Sequence, residues 1–296
     1  MEEATKLQKW SGGNNAAATV LDPNNSAASE RLLRTGEITE GHKFLNTVFM
    51  SMSTVHLDES PKYSYYHYRD KLSKDGKYTI KDIESFYSLL KKYHERDMNA
   101  GVFLSAAISV AFENNTDKAL GRRIKKVDPA AIASRVNKVR LVNKEAAING
   151  LCFELDQGTV KIEGPAGHKL GMGMRGGTVM VKGPALDFLG LGMLGGSIIV
   201  QGHVGKYACS GMQNGDVTVL KNADGFAGRN MNGGTLTILG AADDGIGMDS
   251  SCDARIFVFG TYNKLAANPR VIGDIDYLMA PRGSDSWKKL YQDLEL

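Results

Sequence analysis

GMGMRG at residues 171 to 176 and GLGMLG at 190 to 195 both carry the spacing G-x-G-x-x-G. In a dinucleotide-binding protein the glycines of that motif, here Gly171, Gly173 and Gly176 or Gly190, Gly192 and Gly195, let backbone N–H groups approach a pyrophosphate at the start of a helix. Other stretches offer other chemistry. Gly245, Gly247 and Asp249 spell GxGxD, the unit of calcium-binding rolls, and Ser210 sits in ACSGM as a candidate nucleophile. Cys152, Cys209 and Cys252 are candidate thiolates, and His168, Lys169, His203, Lys206, Tyr207 and Arg229 place proton-carrying or charged groups within one region of the chain.

Each chemistry demands a setting. A phosphate-binding glycine motif is preceded by a strand and followed by a helix, but Gly176 is followed by GTVMVKG and Gly195 by GSIIVQG, both alternating with period two as strands do. A calcium roll repeats its motif about every nine residues, and GxGxD occurs here once in its row. ACSGM is not the G-x-S-x-G elbow of a serine hydrolase. The cysteines form no C-x-x-C pair and have no histidines at zinc spacing, which argues against an iron–sulfur cluster or a structural zinc held by this chain alone. His67 likewise has no metal-ligand partner in sequence.

What positions these residues is a repeat. Written in rows of nineteen from Gly158, the chain reads GTVKIEGPAGHKLGMGMRG, GTVMVKGPALDFLGLGMLG, GSIIVQGHVGKYACSGMQN, GDVTVLKNADGFAGRNMNG and GTLTILGAADDGIGMDSSC, followed by RIFVFG. Position one is glycine in every row. Position three is Val160, Val179, Ile198, Val217 and Leu236, and position five is Ile162, Val181, Val200, Val219 and Ile238. Apolar residues at alternate places make a short half-buried strand at the start of each row. Position fourteen is Gly171, Gly190, Gly228 and Gly247 in four rows, and position seventeen is Met174, Met193, Met212 and Met231. A fixed period near twenty with one strand and no room for a helix predicts a β-solenoid, a right-handed parallel β-helix with ~19-residue turns and rungs about 4.8 Å apart. In such a coil the strand aliphatics form one wall and the methionines another, and the glycines mark a corner where the backbone turns with positive φ or passes close to the next rung. Cys152 and Cys209 fall at position fourteen, three periods apart, so a disulfide between them is ruled out and they stand in for the glycine. His168, Lys169, His203, Lys206, Tyr207 and Arg229 fall in the variable positions eight to fifteen, where side chains point outward.

The rest of the chain divides around this coil. Residues 1–29 are a low-complexity tail, with SGGNNAAATVLDPNNSAAS offering almost nothing to bury. Residues 30–145 form an α-helical N-terminal region. There Thr79 and Asp82 make a capping box ahead of a helix through Tyr93, Asp97 caps a helix from Met98 to about Asn114, and Asp128–Pro129 starts a short helix toward Asn137. Its aromatic run YSYYHY, Tyr63 to Tyr68, reads as core or partner-facing packing. The coil occupies 146–262, and residues 263–296 are a tail with Trp287, Leu290, Tyr291 and Leu294 at helical spacing. Helices and tail are placed to close the open ends of the coil.

A formal charge of +3 over 296 residues gives no electrostatic case for nucleic acid, and the basic run GRRIKK, Gly121 to Lys126, reads as a solvated face. The longest apolar stretch, Gly101 to Phe112, falls short of the roughly 20 residues a membrane span needs. MEEATK lacks the features of a secretory signal, and together with the cysteine usage this predicts a soluble, cytoplasmic protein.

The rows GPAGHKLGMGMRGGTVMVKG, ALDFLGLGMLGGSIIVQG and ADGFAGRNMNGGTLTILG resemble the GXGXG domain family, which includes the C-terminal β-helix of the glutamate synthase large subunit, its free-standing relatives and one of the subunits of formylmethanofuran dehydrogenase. The resemblance covers 158 to about 260. It implies a scaffold: an accessory or structural subunit of a glutamate-synthase-like multisubunit oxidoreductase, with glutaminase-type and flavin/iron–sulfur-type chains as partners and self-association as a further contact. The alternatives are a member of a formylmethanofuran-dehydrogenase-like one-carbon complex, with molybdenum or tungsten on a partner, and a stand-alone enzyme using the six outward polar residues. The chain departs from the glutamate synthase pattern in having no cysteine before Cys152, hence no N-terminal amidotransferase nucleophile, no cysteine set for a cluster and no flavin barrel. The expectation is therefore no catalytic, cofactor-binding or metal-ligating residue on this chain, with flavin and iron–sulfur groups on its partners.

Overall fold

A computed structural model describes residues 39–53, 61–75, 78–93, 97–121, 136–143, 147–251 and 253–261. The tails 1–29 and 263–296, the Asp128–Pro129 helix start, the basic run after Gly121 and Cys252 lie outside the described residues.

Among the described residues seven short strands, β1 (Lys138–Val142), β2 (Thr159–Glu163), β3 (Thr178–Val181), β4 (Ser197–Val200), β5 (Asp216–Val219), β6 (Gly234–Ile238) and β7 (Ala254–Val258), form one parallel sheet in chain order. From β2 to β6 the register steps by the nineteen-residue period, with Val160 opposite Val179, then Ile198, Val217 and Leu236 in turn. Each turn of chain is thus one rung of a parallel β-solenoid, as the repeat predicts. A second wall is marked by single parallel bridges linking Ala166, Ala185, Val204, Ala223 and Ala242, position nine of successive rows.

The interior is filled by stacked equivalents. Positions three, five, nine, thirteen and seventeen are buried rung after rung, and Met174, Met193, Met212 and Met231 are all fully buried. Each such side chain contributes roughly 1.5–3 kcal/mol by leaving water. The methionine column is visible in the sequence, whereas the position-thirteen column of Leu170, Leu189, Ala208, Ala227 and Ile246 is hidden there by its mixture of sizes.

The sheet starts at Lys138, so the expected boundary at 146 falls inside the first turn. KVRLV alternates buried and exposed as a strand should, but five residues with no repeat glycine beside them are indistinguishable in sequence from the end of a helix. Pairing with β2 decides the matter. Lys138 lies opposite Thr159 and Gly234 opposite Ala254, so the first and last turns are longer than nineteen by a residue or two.

Among the described residues four helices precede the coil: α1 (Glu40–Ser53), α2 (Pro61–Asp75), α3 (Ile80–Tyr93) and α4 (Met98–Gly121). The Thr79 capping box forms in both directions, the Thr79 N–H donating to Asp82 Oδ2 at 2.6 Å and the Asp82 N–H to Thr79 Oγ1 at 3.4 Å. The Thr39 hydroxyl, capping α1, also donates to Asp82 and ties the two helix starts together. Asp97 caps α4 through the Asn99 N–H at 2.8 Å. α4 runs to Gly121 rather than stopping near Asn114, and every residue from Ala100 to Phe112 is buried. A helical stretch without an exposed face belongs in the middle of a fold. YSYYHY divides accordingly: Tyr65 and Tyr68 are core, while Tyr63 and Tyr66 face out.

α4 lies against the first turn of the coil. Ser105 Oγ accepts the Phe153 N–H at 3.0 Å and donates to the Gly101 carbonyl at 2.7 Å, and the Asn137 amide donates to the Phe112 carbonyl at 3.0 Å and to Thr116 Oγ1 at 2.8 Å. From α3, Glu84 accepts the Arg140 N–H of β1 at 2.7 Å. The helices therefore close the β1 end of the coil, as expected of a region placed before a solenoid.

Candidate functional site

The glycine motif takes its form from the corner between the second wall and the next strand. There the backbone enters the left-handed region at positions twelve, fourteen and sixteen of each rung: Lys169, Gly171 and Gly173 have φ of 58°, 69° and 65°, and Phe188, Gly190 and Gly192 have 62°, 63° and 60°. The third glycine of the motif has another cause. A Cβ on Gly176 would lie 2.2 Å from the Asp156 carbonyl oxygen of the previous rung, and one on Gly195 would lie 2.5 Å from that of Arg175. Both G-x-G-x-x-G copies are thus accounted for by two left-handed residues and one close backbone contact, with a strand and not a helix following. Gly245, Gly247 and Asp249 repeat the same left-handed alternation on the turn after β6. Cys152 and Cys209 occupy position fourteen with φ of 60° and 58°, and both are buried. Burial pushes the Cys152 thiol up to about 12 and raises that of Cys209 as well, so neither is a thiolate at neutral pH.

Position twelve carries a ladder of aromatic rings on the outside of this corner. Phe188 stacks on Tyr207 with centroids 5.1 Å apart and planes 7° from parallel, and Tyr207 stacks on Phe226 at 5.2 Å and 9°. Left-handed φ costs an L-residue roughly 1–2 kcal/mol, and each stacked pair returns about 0.5–1.5 kcal/mol. The stack thus supports the backbone that creates it. It ends at Gly245, where a Cβ would lie 2.7 Å from the Phe226 ring. All three rings are half-exposed, as are Met172 and Leu191 three residues beyond position twelve on their rungs, and Leu186 is exposed.

Five of the six outward polar residues belong to this ladder or border it closely. Lys169 precedes Phe188 in the same column. His168 Nδ1 lies 3.5 Å from Asp187 Oδ2, and Asp187 Oδ1 accepts the Lys206 N–H at 2.8 Å. Tyr207 is the middle ring. Arg229 lies 6.0 Å from the Phe226 centroid, with Nε 3.9 Å from Asp249 Oδ2. His203, at position eight, is exposed and held by its carbonyl, which accepts the Ala185 N–H at 2.9 Å. Ser210 is half-buried and its N–H donates to the Tyr207 carbonyl at 3.2 Å. Sequence reasoning singled out Tyr207 but missed Phe188, Phe226 and Asp187; the signal was present in three aromatic residues spaced at the repeat period.

A second polar cluster joins helices to coil. Glu154, buried at position sixteen of the first turn, accepts the Tyr66 hydroxyl at 2.7 Å and lies 3.4 Å from Arg175 Nη2 and 3.9 Å from Lys62 Nζ. That hydrogen bond is the main cause of the raised Tyr66 pKa. Among the described residues no group of three or more His, Cys, Asp or Glu side chains is arranged to hold a metal ion, and no helix is long and apolar enough to cross a membrane. The outer corner is an apolar ridge with charged margins. Neither the family models nor the curated proteins compared with this chain give a match.

Proposed function

We propose that the chain is an accessory, structural subunit of a glutamate-synthase-like multisubunit oxidoreductase, serving as scaffold and interface for glutaminase-type and flavin/iron–sulfur-type chains. The observation that carries this reading is the ridge of Phe188, Tyr207 and Phe226, with Met172, Leu186 and Leu191 beside it and Lys169, Asp187, Lys206, Arg229 and Asp249 around it. An apolar, aromatic-rich centre with a charged rim is the composition of a protein–protein interface. The link to this class of complex comes from the row motif and its resemblance to the GXGXG domain. On this reading the flavin and iron–sulfur groups reside on partner chains, and this chain holds neither.

The test is affinity purification of the tagged chain from its native cell, alongside Tyr207→Ala, with the bound proteins identified by mass spectrometry. Glutaminase and flavoprotein partners that are retained by the parent and depleted at least tenfold by the variant support the proposal. A molybdenum or tungsten protein in their place moves the chain to a formylmethanofuran-dehydrogenase-like complex. A stoichiometric cofactor in the isolated chain removes the scaffold reading altogether.

A further inference from the structure

Cations gather on the outer face of the sheet at its β1 end. Position four of β1 to β4 runs Arg140, Lys161, Met180 and Ile199, each opposite the next. Lys138 stands two residues before Arg140 and Lys182 two after Met180, so strand alternation puts both on the same face. All four cations are exposed, whereas the same columns farther along carry Asp216, Thr218 and Leu220. The positive charge is therefore local to the first rungs. Arg140 directly opposite Lys161 is a like-charge cross-strand pair, an arrangement that destabilises a sheet. The nearby acids are already engaged: Glu163 is shared between Arg140 Nε at 3.4 Å and Lys182 Nζ at 2.9 Å, and Glu84 Oε1 accepts the Arg140 N–H at 2.7 Å. Among the described residues no acidic side chain is paired with Lys138 or Lys161. Beside these cations Lys161, Glu163, Met180, Lys182, Ile199 and Gln201 line a shallow groove. Its volume of about 30 Å³ has room for a water or two, so an occupant lies across this face rather than inside it.

We propose that this face docks an extended acidic segment of a protein partner, with carboxylates over Arg140, Lys161 and Lys182 and an apolar side chain over Met180 and Ile199. The dimensions agree: β1 to β4 span about 14 Å at the usual strand spacing, and residues i to i+4 of an extended chain span about 13 Å. A segment crossing the strands thus presents residues i, i+2 and i+4 to the face, two carboxylates toward β1 to β3 and an apolar residue toward β3 and β4. The pattern is Glu-x-Glu-x-Leu. Its charges fall where Arg140 and Lys161 oppose one another, and this complementarity carries the proposal: the partner removes a repulsion that the chain alone leaves in place. A nucleic-acid backbone fits less well, because Glu163 stands among the cations and Met180 and Ile199 offer nothing to a phosphate. The face is separate from the aromatic ridge at position twelve, and the proposal does not rest on which complex the chain joins.

The probe is a fluorescein-labelled, end-capped peptide Glu-Thr-Glu-Thr-Leu, titrated with the full-length chain at low ionic strength and read by fluorescence anisotropy. The expected result is saturable binding that added salt weakens, that Lys161→Glu abolishes and that Met180→Thr weakens several-fold. A Lys-Thr-Lys-Thr-Leu peptide should not bind. Lys161 is exposed, so its variants should keep the parent's circular dichroism. In the chain without peptide, Lys161→Gln should raise Tm by about 1–2 °C, because it removes the like-charge contact with Arg140. No saturable binding, equal binding of the two peptides, or binding untouched by Lys161→Glu overturns the proposal. A lowered Tm for Lys161→Gln also overturns it, since Lys161 would then be neutralised within the chain itself. A single-stranded oligonucleotide that binds more tightly than the acidic peptide, and is lost with Lys161→Glu, overturns it in favour of nucleic acid. The assay uses the isolated chain, so a purification that recovers no glutaminase or flavoprotein leaves its result standing.

Discussion

Gly101 of α4 meets Asn149 of the first turn so closely that a Cβ on Gly101 would lie 1.8 Å from the Asn149 carbonyl oxygen. The helix can lie this deep against the coil only because the residue at the crossing has no side chain. Gly101→Ala is favoured in an isolated helix by roughly 1 kcal/mol, but here the methyl must force helix and turn apart and weaken the bonds of Ser105 to Phe153 and Gly150. The expected outcome is a net loss of stability of about 1–3 kcal/mol, the usual range for overpacking, read by urea unfolding. An unchanged or raised midpoint would mean that the helices do not sit on the end of the coil.

Within the motif GLGMLG, the middle and last glycines separate two causes. Gly192 has φ of 60° and nothing within 4 Å of where its Cβ would stand, whereas Gly195 would place a Cβ 2.5 Å from the Arg175 carbonyl oxygen. Gly192→Ala should therefore cost only the left-handed strain, roughly 1–2 kcal/mol, and Gly192→Asn less, as Asn230 occupies the same position two rungs on with φ of 53°. Gly195→Ala should cost more than either, because two rungs must separate. Thermal melts of the three variants give the order directly.

Met193 is fully buried in the stacked interior column. Met193→Leu conserves volume and should cost less than about 1.5 kcal/mol. Met193→Asp places an unpaired charge there and should exceed the roughly 2–5 kcal/mol of truncating a buried methionine to alanine. A Met193→Asp variant melting with the parent would reverse the inward assignment of the column.

The buried thiols predict reactivity and a pH dependence. In a Cys252→Ser background no thiol should react with an aromatic disulfide reagent at pH 8 in the folded protein, and both Cys152 and Cys209 should react on unfolding. Burial holds the Cys152 proton to about 12, and burial foremost takes the Tyr65 and Tyr68 hydroxyls to about 12 as well. These groups ordinarily ionise near 8.5 and 10. Between the ordinary and the raised values the folded chain binds more protons than the unfolded one, so stability is full below about pH 8.5 and falls as pH rises toward about 12. Unfolding free energies measured from pH 7 to pH 11 should decline over the upper part of that range, and a flat profile would contradict the burial of these groups.

The coil was legible because a solenoid writes its third dimension into its sequence. Val160, Val179 and Ile198 stack in space because they recur at the repeat period, and Met174 to Met231 do the same. β1 was not legible, since KVRLV is one strand without a repeat of its own and acquires its identity only by pairing with β2. The aromatic ladder was half legible. Tyr207 stood out for its hydroxyl, but Phe188 and Phe226 are ordinary residues until stacking joins them.

The sequence by itself determined the period, the strand in each row, the inward aliphatic and methionine columns and the glycine corner, because those features are local or repeat identically on each rung. Tertiary structure alone decided which glycines answer to φ and which to a neighbouring backbone, and how α4 meets the first turn through Gly101. Those depend on contacts between parts of the chain that do not repeat, and a contact made once leaves no periodic trace in the order of residues.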